Sequence, residues 1–312
     1  MNLPINIDLL DIFFEEEIRC GYTVTSEMKE LWAVELDLLN KLLNVCKKNE
    51  IRLFADGGTL LGAIRHQGFI PWDDDIDIVM FREDYEKLCQ IAQKEFQFPY
   101  FFQTEYTDPS SLRGHAQLRN SLTTGMLRSE IQGVHRFNQG IFIDIFPLDA
   151  VPDDNDLFEQ KIGNIHKNLV LSRRLANLGA RYSPSENPVK NIIKKGCYDI
   201  FSGPLGKFID YEKYYRNYEE ECKKYNNENT LKVAKFFNIP FNKKRIWYRE
   251  DFSKTELAKF EMLEIPIPNG YKRILDTFFG LDWMNPKKVN TTHKGIIFDT
   301  HKPYKLYLEE RK

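Results

Sequence analysis

Apolar side chains between residues 26 and 48 recur every three or four positions, which is the period of one face of an α-helix. The series consists of Leu31, Val34, Leu38, Leu39, Leu42, Val45 and Cys46. Ser26 is the expected N-cap, because Glu27 and Glu30 would then lie in the first turn, near the positive end of the helix dipole. The pattern predicts an amphipathic helix that ends near Lys48.

The spacing of the apolar residues changes after this helix. Residues 51–55 form a short apolar run that leads into Asp56-Gly57-Gly58, which indicates a strand followed by a turn, and residues 59–66 fit a short helix. In residues 75–81 aspartates alternate with apolar residues, which predicts a strand with Asp75 and Asp77 on one face. A helix over residues 82–96 and strands over 100–103, 116–120 and 140–146 follow, and Pro147 is expected to end the last strand.

The second half of the chain is patterned differently. Residues 157–225 have a helical period with a break at 183–188, and residues 157–207 hold nine Lys or Arg against three Asp or Glu. We therefore predict an α+β fold, a mixed β-sheet flanked by helices, with a helical insert and a loop-rich C-terminal part. The expected division is a catalytic core over residues 1–150, a basic helical insert over 151–230 and a C-terminal part over 231–312 that completes the active site.

The composition and charge of the chain limit the classes of function that it can have. With 312 residues, of which 42% are hydrophobic and 29% charged, the chain is an ordinary globular protein. The formal net charge of -2 gives no overall field that would gather nucleic acid, so no nucleic-acid partner is expected. The five cysteines form no C-x-x-C pair, and the sequence has neither a secretory signal nor an apolar run of about 18 residues, so we predict a cytoplasmic protein.

The most informative stretch is residues 71–78, Pro-Trp-Asp-Asp-Asp-Ile-Asp-Ile. Four acids so close together repel one another unless a cation holds them. A calcium loop is a poor fit, because Ile78 replaces the required glycine and Asp84 the final glutamate. A solvated acidic turn is the simple alternative, but the preceding Gly-Gly turn can present backbone N–H groups to phosphate oxygens while the acids hold metal.

Asp144 supplies a third carboxylate, because it is a polar residue within the apolar stretch Ile-Phe-Ile-Asp-Ile-Phe at residues 141–146. An outward-facing aspartate on an edge strand is the alternative. Three acids from two strands can bind two divalent ions on a shared phosphate and align an attacking oxygen with the leaving group. Oxygen ligands and a phosphate substrate favour Mg²⁺, with Mn²⁺ as the second choice.

Residues 54–66 (FADGGTLLGAIRH) and 68–78 (GFIPWDDDIDI), followed by 143–148 (IDIFPL), closely resemble the LicD family. Members include bacterial phosphocholine transferases that act on cell-surface glycans, and the fukutin and fukutin-related proteins, which transfer ribitol phosphate. The resemblance implies a nucleotidyltransferase-like fold and a CDP-linked donor. It is firm for residues 51–150 and extends only in outline to the C-terminal half.

Carried over position by position, the resemblance implies that Asp75, Asp77 and Asp144 are the metal-binding and catalytic acids. Asp73 and Asp74 would not bind the metal directly but would lie next to the three acids that do. The donor phosphates would be held by Gly57, Gly58, Thr59, Arg65, His66, Arg119 and Arg128. A surface location is an equally good interpretation for Arg65 and His66. His115, Arg119 and Arg128 bracket a strand and could reach the diphosphate, and a surface or core-edge location is the alternative for each of them.

The predicted reaction is a single in-line transfer of a phospho-alcohol group from the CDP-linked donor to a hydroxyl of a glycan or its lipid-linked precursor, with release of CMP. Phosphocholine is the preferred candidate for the transferred group. This would place the protein in lipopolysaccharide, teichoic acid or capsule biosynthesis. Alternatives are a CDP-ribitol or CDP-glycerol dependent transferase, a nucleotidyltransferase that moves NMP, a D-x-D glycosyltransferase and a non-catalytic scaffold.

Two further features have competing interpretations. A choline headgroup would need a cage of aromatic faces. Five aromatic residues could form such a cage or could instead belong to the core, namely Trp247, Tyr248, Phe278, Phe279 and Trp283. The basic helical stretch around residues 169–195 is either a solvated helix pair or a peripheral contact with the inner face of an anionic membrane.

Overall fold

The structure, a computed structural model, describes residues 3–131, 133–237, 241–287 and 296–310, without the side chains of residues 128 and 129. Its helices are α1 (Ser26–Lys48), α2 (Gly57–His66), α3 (Arg82–Glu95), α4 (Arg128–Ile131), α5 (Asn155–Gly179), α6 (Pro188–Phe201), α7 (Tyr211–Lys223), α8 (Tyr271–Phe279) and α9 (Tyr304–Glu309).

The strands are short except for one. They are β1 (Glu17–Arg19), β2 (Tyr22–Val24), β3 (Phe54–Ala55), β4 (Asp77–Phe81), β5 (Tyr100–Gln103), β6 (Ala116–Asn120), β7 (Thr124–Leu127), β8 (Ile141–Val151), β9 (Lys232–Ala234), β10 (Ile246–Tyr248), β11 (Thr255–Phe260), β12 (Leu263–Pro268) and β13 (Ile296–Asp299). β8 is the longest, with 11 residues, and lies at the centre of the main sheet.

The main sheet mixes parallel and antiparallel pairs. β4 lies parallel to β8, and β3 pairs with the other edge of β4 in the antiparallel direction. The opposite edge of β8 pairs first with β6 and then with β9, both antiparallel, and β5 and β10 extend these two neighbours. The predicted α+β fold with a mixed sheet is therefore confirmed.

Helix α1 covers one part of this sheet. Its buried face includes Trp32, Leu36 and Leu39, and the Trp32 ring stacks on Phe69 with a centroid distance of 4.6 Å and an interplanar angle of 3°. Burial of such large side chains gives about 1.5–3 kcal/mol each, which explains why a 23-residue helix is held along its length. The helix ends at Lys48 as predicted, but its N-cap is Thr25 rather than Ser26, since the Thr25 Oγ1 accepts from the Met28 N–H at 3.2 Å.

The boundaries of β4, α2 and β8 differ from the sequence prediction, and the first two bear on the site. β4 begins at Asp77, so Asp75 lies in the preceding loop and not on the strand. α2 begins at Gly57, so the glycine pair belongs to the first helical turn instead of a separate turn. The strand β8 does not end at Pro147: this proline lies between the segments that pair with β6 and β9, on an edge where no N–H is required.

The helical stretch has its own apolar cluster. α5 and α7 pack along each other, and Phe158, Ile165, Leu169, Tyr215 and Tyr218 are among the residues buried between them and the sheet. α6 follows the predicted break at residues 183–188 and packs on α5. The C-terminal part contains more regular structure than expected, including the hairpin β11–β12 and the pairing of β13 with β7. The division into three domains stays a prediction.

Candidate active site

A row of polar side chains crosses the sheet at the amino end of β4 and at the turn that follows β3. Gln117 of β6 stands opposite Asp144 of β8, and Asp144 stands opposite Asp77 of β4. Asp56, directly after β3, continues the row, and its N–H donates to the Asp77 carbonyl at 3.0 Å. We call Asp56, Asp77 and Asp144 the acidic row. Because paired residues on neighbouring strands point to the same face, Asp77 and Asp144 lie side by side. The structure thus brings together two of the three predicted catalytic acids through strand register.

The loop before β4 adds the remaining acids. One ligand oxygen each from Asp73, Asp74 and Asp75 lies within 4.8 Å of the other two, which is the arrangement of a candidate cation site. The Trp32 Nε1 donates to the Asp73 carbonyl at 2.9 Å, so helix α1 fixes the position of this loop. Asp73 and Asp74 are therefore as close to a possible metal as Asp75, which sequence reasoning had placed ahead of them.

The acids affect one another strongly. Burial, followed by the negative charges of Asp77 and Asp73, raises the pKa of Asp75 well above its usual value. Burial also raises the pKa of Asp77 to about 7, against the opposing effect of the Lys235 ammonium and together with the charge of Asp144. Such carboxylates bind a proton or a cation readily, because either relieves both desolvation and repulsion.

Asp144 behaves differently from its neighbours. Its Oδ1 accepts a hydrogen bond from Gln117 Nε2 at 2.6 Å and lies 3.0 Å from His115 Nε2. Burial opposes ionisation, but the nearby His115 and these hydrogen bonds outweigh it and lower the pKa of Asp144. The carboxylate is held ionised and oriented, which suits a metal ligand or a proton acceptor. His115 itself faces this acid rather than an open phosphate position.

The first turn of α2 closely approaches the acids, and two glycines allow this. Gly57 has a φ of +52°, and a Cβ there would lie 3.1 Å from Asp77 Oδ2. A Cβ on Gly58 would lie 2.3 Å from Asp73 Oδ2, which is too close. The Thr59 hydroxyl is buried and accepts from the Asp77 N–H at 2.8 Å, so it holds β4 in place. Gly57 and Gly58 bring the helix N-terminus, which favours anions, beside the acidic row.

A cleft of about 420 Å³ opens over this arrangement. Gly57, Gly58, Asp73, Asp75 and Asp77 line its floor. Cationic side chains contribute from separate parts of the chain, namely Arg65, Lys235, Arg245 and Lys287. Aromatic side chains form much of the remaining wall, namely Trp72, Phe237, Phe278, Phe279 and Trp283. The cleft combines acids, a helix N-terminus, cations and aromatic faces, as a site for a phosphorylated organic molecule requires.

The side chains of Arg65 and His66 contact each other, since Arg65 Nε donates to His66 Nε2 at 2.8 Å, but their positions relative to the cleft differ. Arg65 lines the cleft, and its guanidinium donates to the Trp283 carbonyl at 2.6 Å. His66 lies next to Cys20, with 3.8 Å between Nδ1 and Sγ, and does not belong to the cleft lining that the described residues form. Burial, with the positive charges of Arg65 and Arg19, lowers the pKa of His66 to about 4, so it is neutral near pH 7. This argues against His66 as a phosphate-binding cation.

The predicted phosphate-binding role of Arg119 also meets a physical objection. Arg119 is 0% exposed, and its guanidinium donates to Gln103 Oε1 at 2.7 Å, to the Gly140 carbonyl at 2.6 Å and to Gln117. These bonds place it behind Gln117, where it orients the amide that donates to Asp144. Arg128 begins α4, but its side chain lies outside the described part of the chain.

Sequence reasoning missed several residues of the site, above all Lys235. This lysine follows β9, is 4% exposed and forms an ion pair with Asp56. Of the predicted cage, Phe278, Phe279 and Trp283 line the cleft, whereas Trp247 is buried and Tyr248 lines a different cavity. The available signal for Lys235 was weak, a single lysine within the aromatic run Lys-Phe-Phe of residues 235–237, and it gave no indication of its partner.

Comparison with known proteins adds independent information. Residues 50–174 match a family model described as the LicD/FKTN/FKRP nucleotidyltransferase domain. The chain is 27% identical over 265 residues to the lipopolysaccharide cholinephosphotransferase LicD of Haemophilus influenzae, which covers 82% of this chain and 91% of that protein. It is 37% identical over 54 residues to the human ribitol 5-phosphate transferase FKRP, which covers 17% of this chain and 11% of that protein.

Proposed function

Because the chain belongs to the LicD family of phosphate-group transferases, we propose that it moves phosphocholine from a CDP-linked donor to a hydroxyl of a cell-surface glycan or its lipid-linked precursor, releasing CMP. The observation that carries this proposal is that Asp73, Asp75 and Asp77, the first turn of α2 and Lys235 all line one cleft. A diphosphate needs both kinds of partner, N–H and ammonium donors for its oxygens and acids for the cation that accompanies it.

The residues present fit a divalent cation, with Mg²⁺ first and Mn²⁺ second. The oxygens of Asp73, Asp74 and Asp75 lie within 4.8 Å of one another, and Asp77 stands beside Asp144. Asp75, Asp77 and Asp144 would hold the catalytic ion, because carboxylate oxygens are the ligands that Mg²⁺ prefers. When bound, this ion supplies charge neutralisation at the diphosphate and at the departing CMP.

The protein's own groups position the reactants. The N–H groups at the start of α2 and the ammonium of Lys235 bind donor phosphate oxygens, and Arg65 and Arg245 extend this positive surface along the cleft. Asp144 is kept ionised by Gln117 and His115 and can accept the proton of the attacking hydroxyl. Direct in-line displacement follows, since catalysis of phosphoryl transfer depends mainly on positioning and charge stabilisation.

Choline is the favoured headgroup because the cleft wall is aromatic. Trp72, Phe237, Phe278, Phe279 and Trp283 offer the ring faces that attract a quaternary ammonium. A relative that matches over most of this chain is a cholinephosphotransferase, whereas the match to the human ribitol 5-phosphate transferase spans 54 residues. Ribitol or glycerol phosphate would need hydroxyl-binding groups in place of this wall and is the second candidate.

A panel of donors tests the proposal directly. The full chain is incubated with Mg²⁺ and CDP-choline, CDP-ribitol, CDP-glycerol or CDP-ethanolamine, with and without glycan acceptors, and CMP is quantified. We expect acceptor-dependent CMP release with CDP-choline and loss of this release in EDTA. Pyrophosphate release from a nucleoside triphosphate would indicate the nucleotidyltransferase alternative, and turnover of a nucleotide sugar the glycosyltransferase. Absence of CMP with all four donors would rule the proposal out.

We further propose that the protein works at the inner face of an anionic membrane, where a lipid-linked acceptor would be found. Helix α6 and the turn after it expose Val189, Ile192, Ile193, Ile200 and Phe208, each at least 58% exposed. The first four recur at the spacing of one helical face, and Lys190, Lys194, Lys195 and Lys207 accompany them. None of the helices in the described ranges combines the length and the apolar character that a membrane span requires.

Membrane binding should depend on the apolar face of α6. Replacing Ile192 and Ile193 by Glu should reduce the fraction bound to phosphatidylglycerol vesicles at least about tenfold, because two buried side chains worth about 1.5–3 kcal/mol each are lost and two negative charges are added. Vesicle flotation measures this fraction. Ile18→Glu in β1 is the matched control, since Ile18 is 76% exposed elsewhere on the surface, and it should bind like wild type. Equal binding by all three proteins would refute the proposed surface.

A further inference from the structure

The row of polar side chains that contains Asp144 extends beyond Gln117 into β5. Gln103 of β5 stands opposite Gln117 of β6, which in turn stands opposite Asp144 of β8. Arg119 follows Gln117 by two positions, so its side chain lies on the same face of the sheet. The side chains of Gln103, Gln117 and Arg119 are each at most 2% exposed. Strand register therefore places two buried amides and a buried guanidinium next to a proposed catalytic acid.

Hydrogen bonds lead from the guanidinium in two directions. On one side, Arg119 Nε donates to Gln103 Oε1 at 2.7 Å, and Gln103 Nε2 donates to the carboxylate of Asp108 in the loop after β5 at 2.6 Å. On the other side, Arg119 Nη2 donates to Gln117 Oε1, and Gln117 Nε2 donates to Asp144 Oδ1 at 2.6 Å. A continuous chain of hydrogen bonds thus joins two carboxylates through one central cation.

The charges at the centre and at the ends of this chain fix the orientation of both amides. A guanidinium can only donate and an ionised carboxylate can only accept, so each amide must turn its oxygen to Arg119 and its NH₂ group to an acid. If Gln117 were reversed, its oxygen would face Asp144 and its NH₂ group would face the guanidinium. Reversal of Gln103 would also place its oxygen against the Asn138 carbonyl, to which Nε2 donates at 3.0 Å. Either rotation would leave buried polar groups unpaired, which is costly.

The backbone before β8 anchors this chain. Asp108 Oδ2 also accepts from the Asn138 N–H at 2.6 Å, and Arg119 Nη1 donates to the Gly140 carbonyl at 2.6 Å. Residues 138–140 lead directly into β8. The remote carboxylate and the guanidinium are therefore both held by the segment that precedes the strand with the catalytic acid.

We propose that this chain is a positioning relay, which keeps the Gln117 amide directed at Asp144 and thereby fixes the orientation of the Asp144 carboxylate. The members of the relay are Asp108, Gln103, Arg119 and Gln117. The inference rests on the proposed function, in which Asp144 holds the cation and accepts the proton of the attacking hydroxyl. None of the four belongs to the cleft lining within the described part of the chain, so they act through Asp144. Groups that orient a metal-binding carboxylate affect metal affinity and activity without touching the ion.

A double-mutant cycle between the two ends of the relay provides the test. Wild type, Asp108→Ala, Gln117→Met and the double variant are compared for Mn²⁺ affinity by electron paramagnetic resonance, and for kcat and KM of CMP release from CDP-choline at saturating Mg²⁺. Gln117→Met should lower Mn²⁺ affinity and kcat about 10–100-fold, because Asp144 loses a donor. Asp108→Ala should lower both about three- to tenfold in the wild-type background and not further in Gln117→Met, since the amide through which it acts is gone. The KM for the donor should change less than about twofold.

Glu105→Ala is the matched control. Glu105 also follows β5, and its carboxylate accepts from the N–H groups of Ser110 and Leu112 at 2.6 and 2.7 Å, but it is not a member of the relay. This variant should lower the free energy of unfolding, measured by urea denaturation, and leave Mn²⁺ affinity and kcat close to wild type. If Gln117→Met does not fold, Gln117→Asn takes its place, because its amide is too short to reach both partners.

The outcomes separate this inference from the proposed function. Asp108→Ala losses of the same size in both backgrounds, or wild-type Mn²⁺ affinity and kcat in Asp108→Ala, would overturn the relay. If wild type nevertheless releases CMP from CDP-choline, the function stands without it. If no donor gives CMP but the Mn²⁺ affinities show the coupling between Asp108 and Gln117, the relay stands and the proposed reaction fails.

Discussion

Replacing Asp77 by Asn is expected to lower the rate of phosphocholine transfer at least about 10³-fold, which corresponds to about 4 kcal/mol of lost transition-state stabilisation. Asp77 stands at the centre of the acidic row, opposite Asp144 and next to Gly57. An amide is a weaker ligand than a carboxylate and carries no charge to hold the cation. The measurement is kcat for CMP release at saturating Mg²⁺ and donor.

The fold should survive this change. Burial and the charges of Asp144 and Asp56 raise the pKa of Asp77, so removing its charge relieves repulsion in the metal-free protein. In EDTA the variant should therefore melt at or above the wild-type temperature. A variant that melts normally and turns over at nearly the wild-type rate would remove Asp77 from the catalytic site.

Asp149 offers a matched control on the neighbouring strand. It is a buried carboxylate of β8, and it accepts from Arg82 Nε and Asn226 Nδ2, each at 2.8 Å. Asp149→Asn breaks a buried ion pair away from the cleft, so it should lower the free energy of unfolding but leave kcat close to wild type. The two variants thus separate loss of stability from loss of chemistry.

Replacing Lys235 by Met is the second change with a large expected effect. The side chains of Lys235 and Asp56 are 4% and 5% exposed, and they pair with each other. The variant leaves Asp56 as an unpaired buried charge, which should lower the free energy of unfolding by about 3–5 kcal/mol. It also removes the ammonium that we propose binds the donor phosphates, so kcat/KM should fall about 10²-fold or more. Urea denaturation and CMP release measure the two effects.

A second substitution distinguishes these two roles of Lys235. Adding Asp56→Asn to Lys235→Met removes the orphaned charge, and we expect most of the lost stability to return while activity stays low. Lys161→Met is the matched control in the helical lobe, since Lys161 is buried and donates to the Ala150 and Cys222 carbonyls, each at 2.7 Å. It should lose stability but not kcat/KM. Recovery of full activity in the double variant would exclude a role for Lys235 in phosphate binding.

Much of the fold was accessible from local pattern. Three of the signals depend on neighbouring residues alone. They are the helical period of α1, the alternation of acidic and apolar residues before Phe81, and the single acid within the apolar part of β8. Pro147 misled the prediction because its tolerance depends on which edge of β8 lacks a partner, and that is decided by β6 and β9. A single sequence contains no information on such pairings.

The site was only partly predictable for the same reason. Asp77 and Asp144 carry their own signals, which are four acids within residues 73–77 and a charge in an apolar run. Lys235 lies 179 residues from its partner Asp56, and no local pattern connects them. Their charge makes Arg119 and His66 candidates for phosphate binding in the sequence. In the structure, the buried Arg119 guanidinium donates to Gln117, and burial lowers the pKa of His66 so that it is neutral near pH 7. Residue type identifies candidates for phosphate binding, and only tertiary contacts decide among them.

The walls of the cleft come from residues 57–77 and from residues 235–287, two segments far apart in the chain. During synthesis the amino-terminal half, with every catalytic acid, therefore leaves the ribosome long before the lysine and the aromatic wall exist. Under the proposed reaction, a nascent chain should begin to consume donor only after its last quarter has emerged and docked. Transfer activity should then report completion of folding, and proteolytic removal of residues 235–287 should abolish it, although that segment contains none of the proposed catalytic acids.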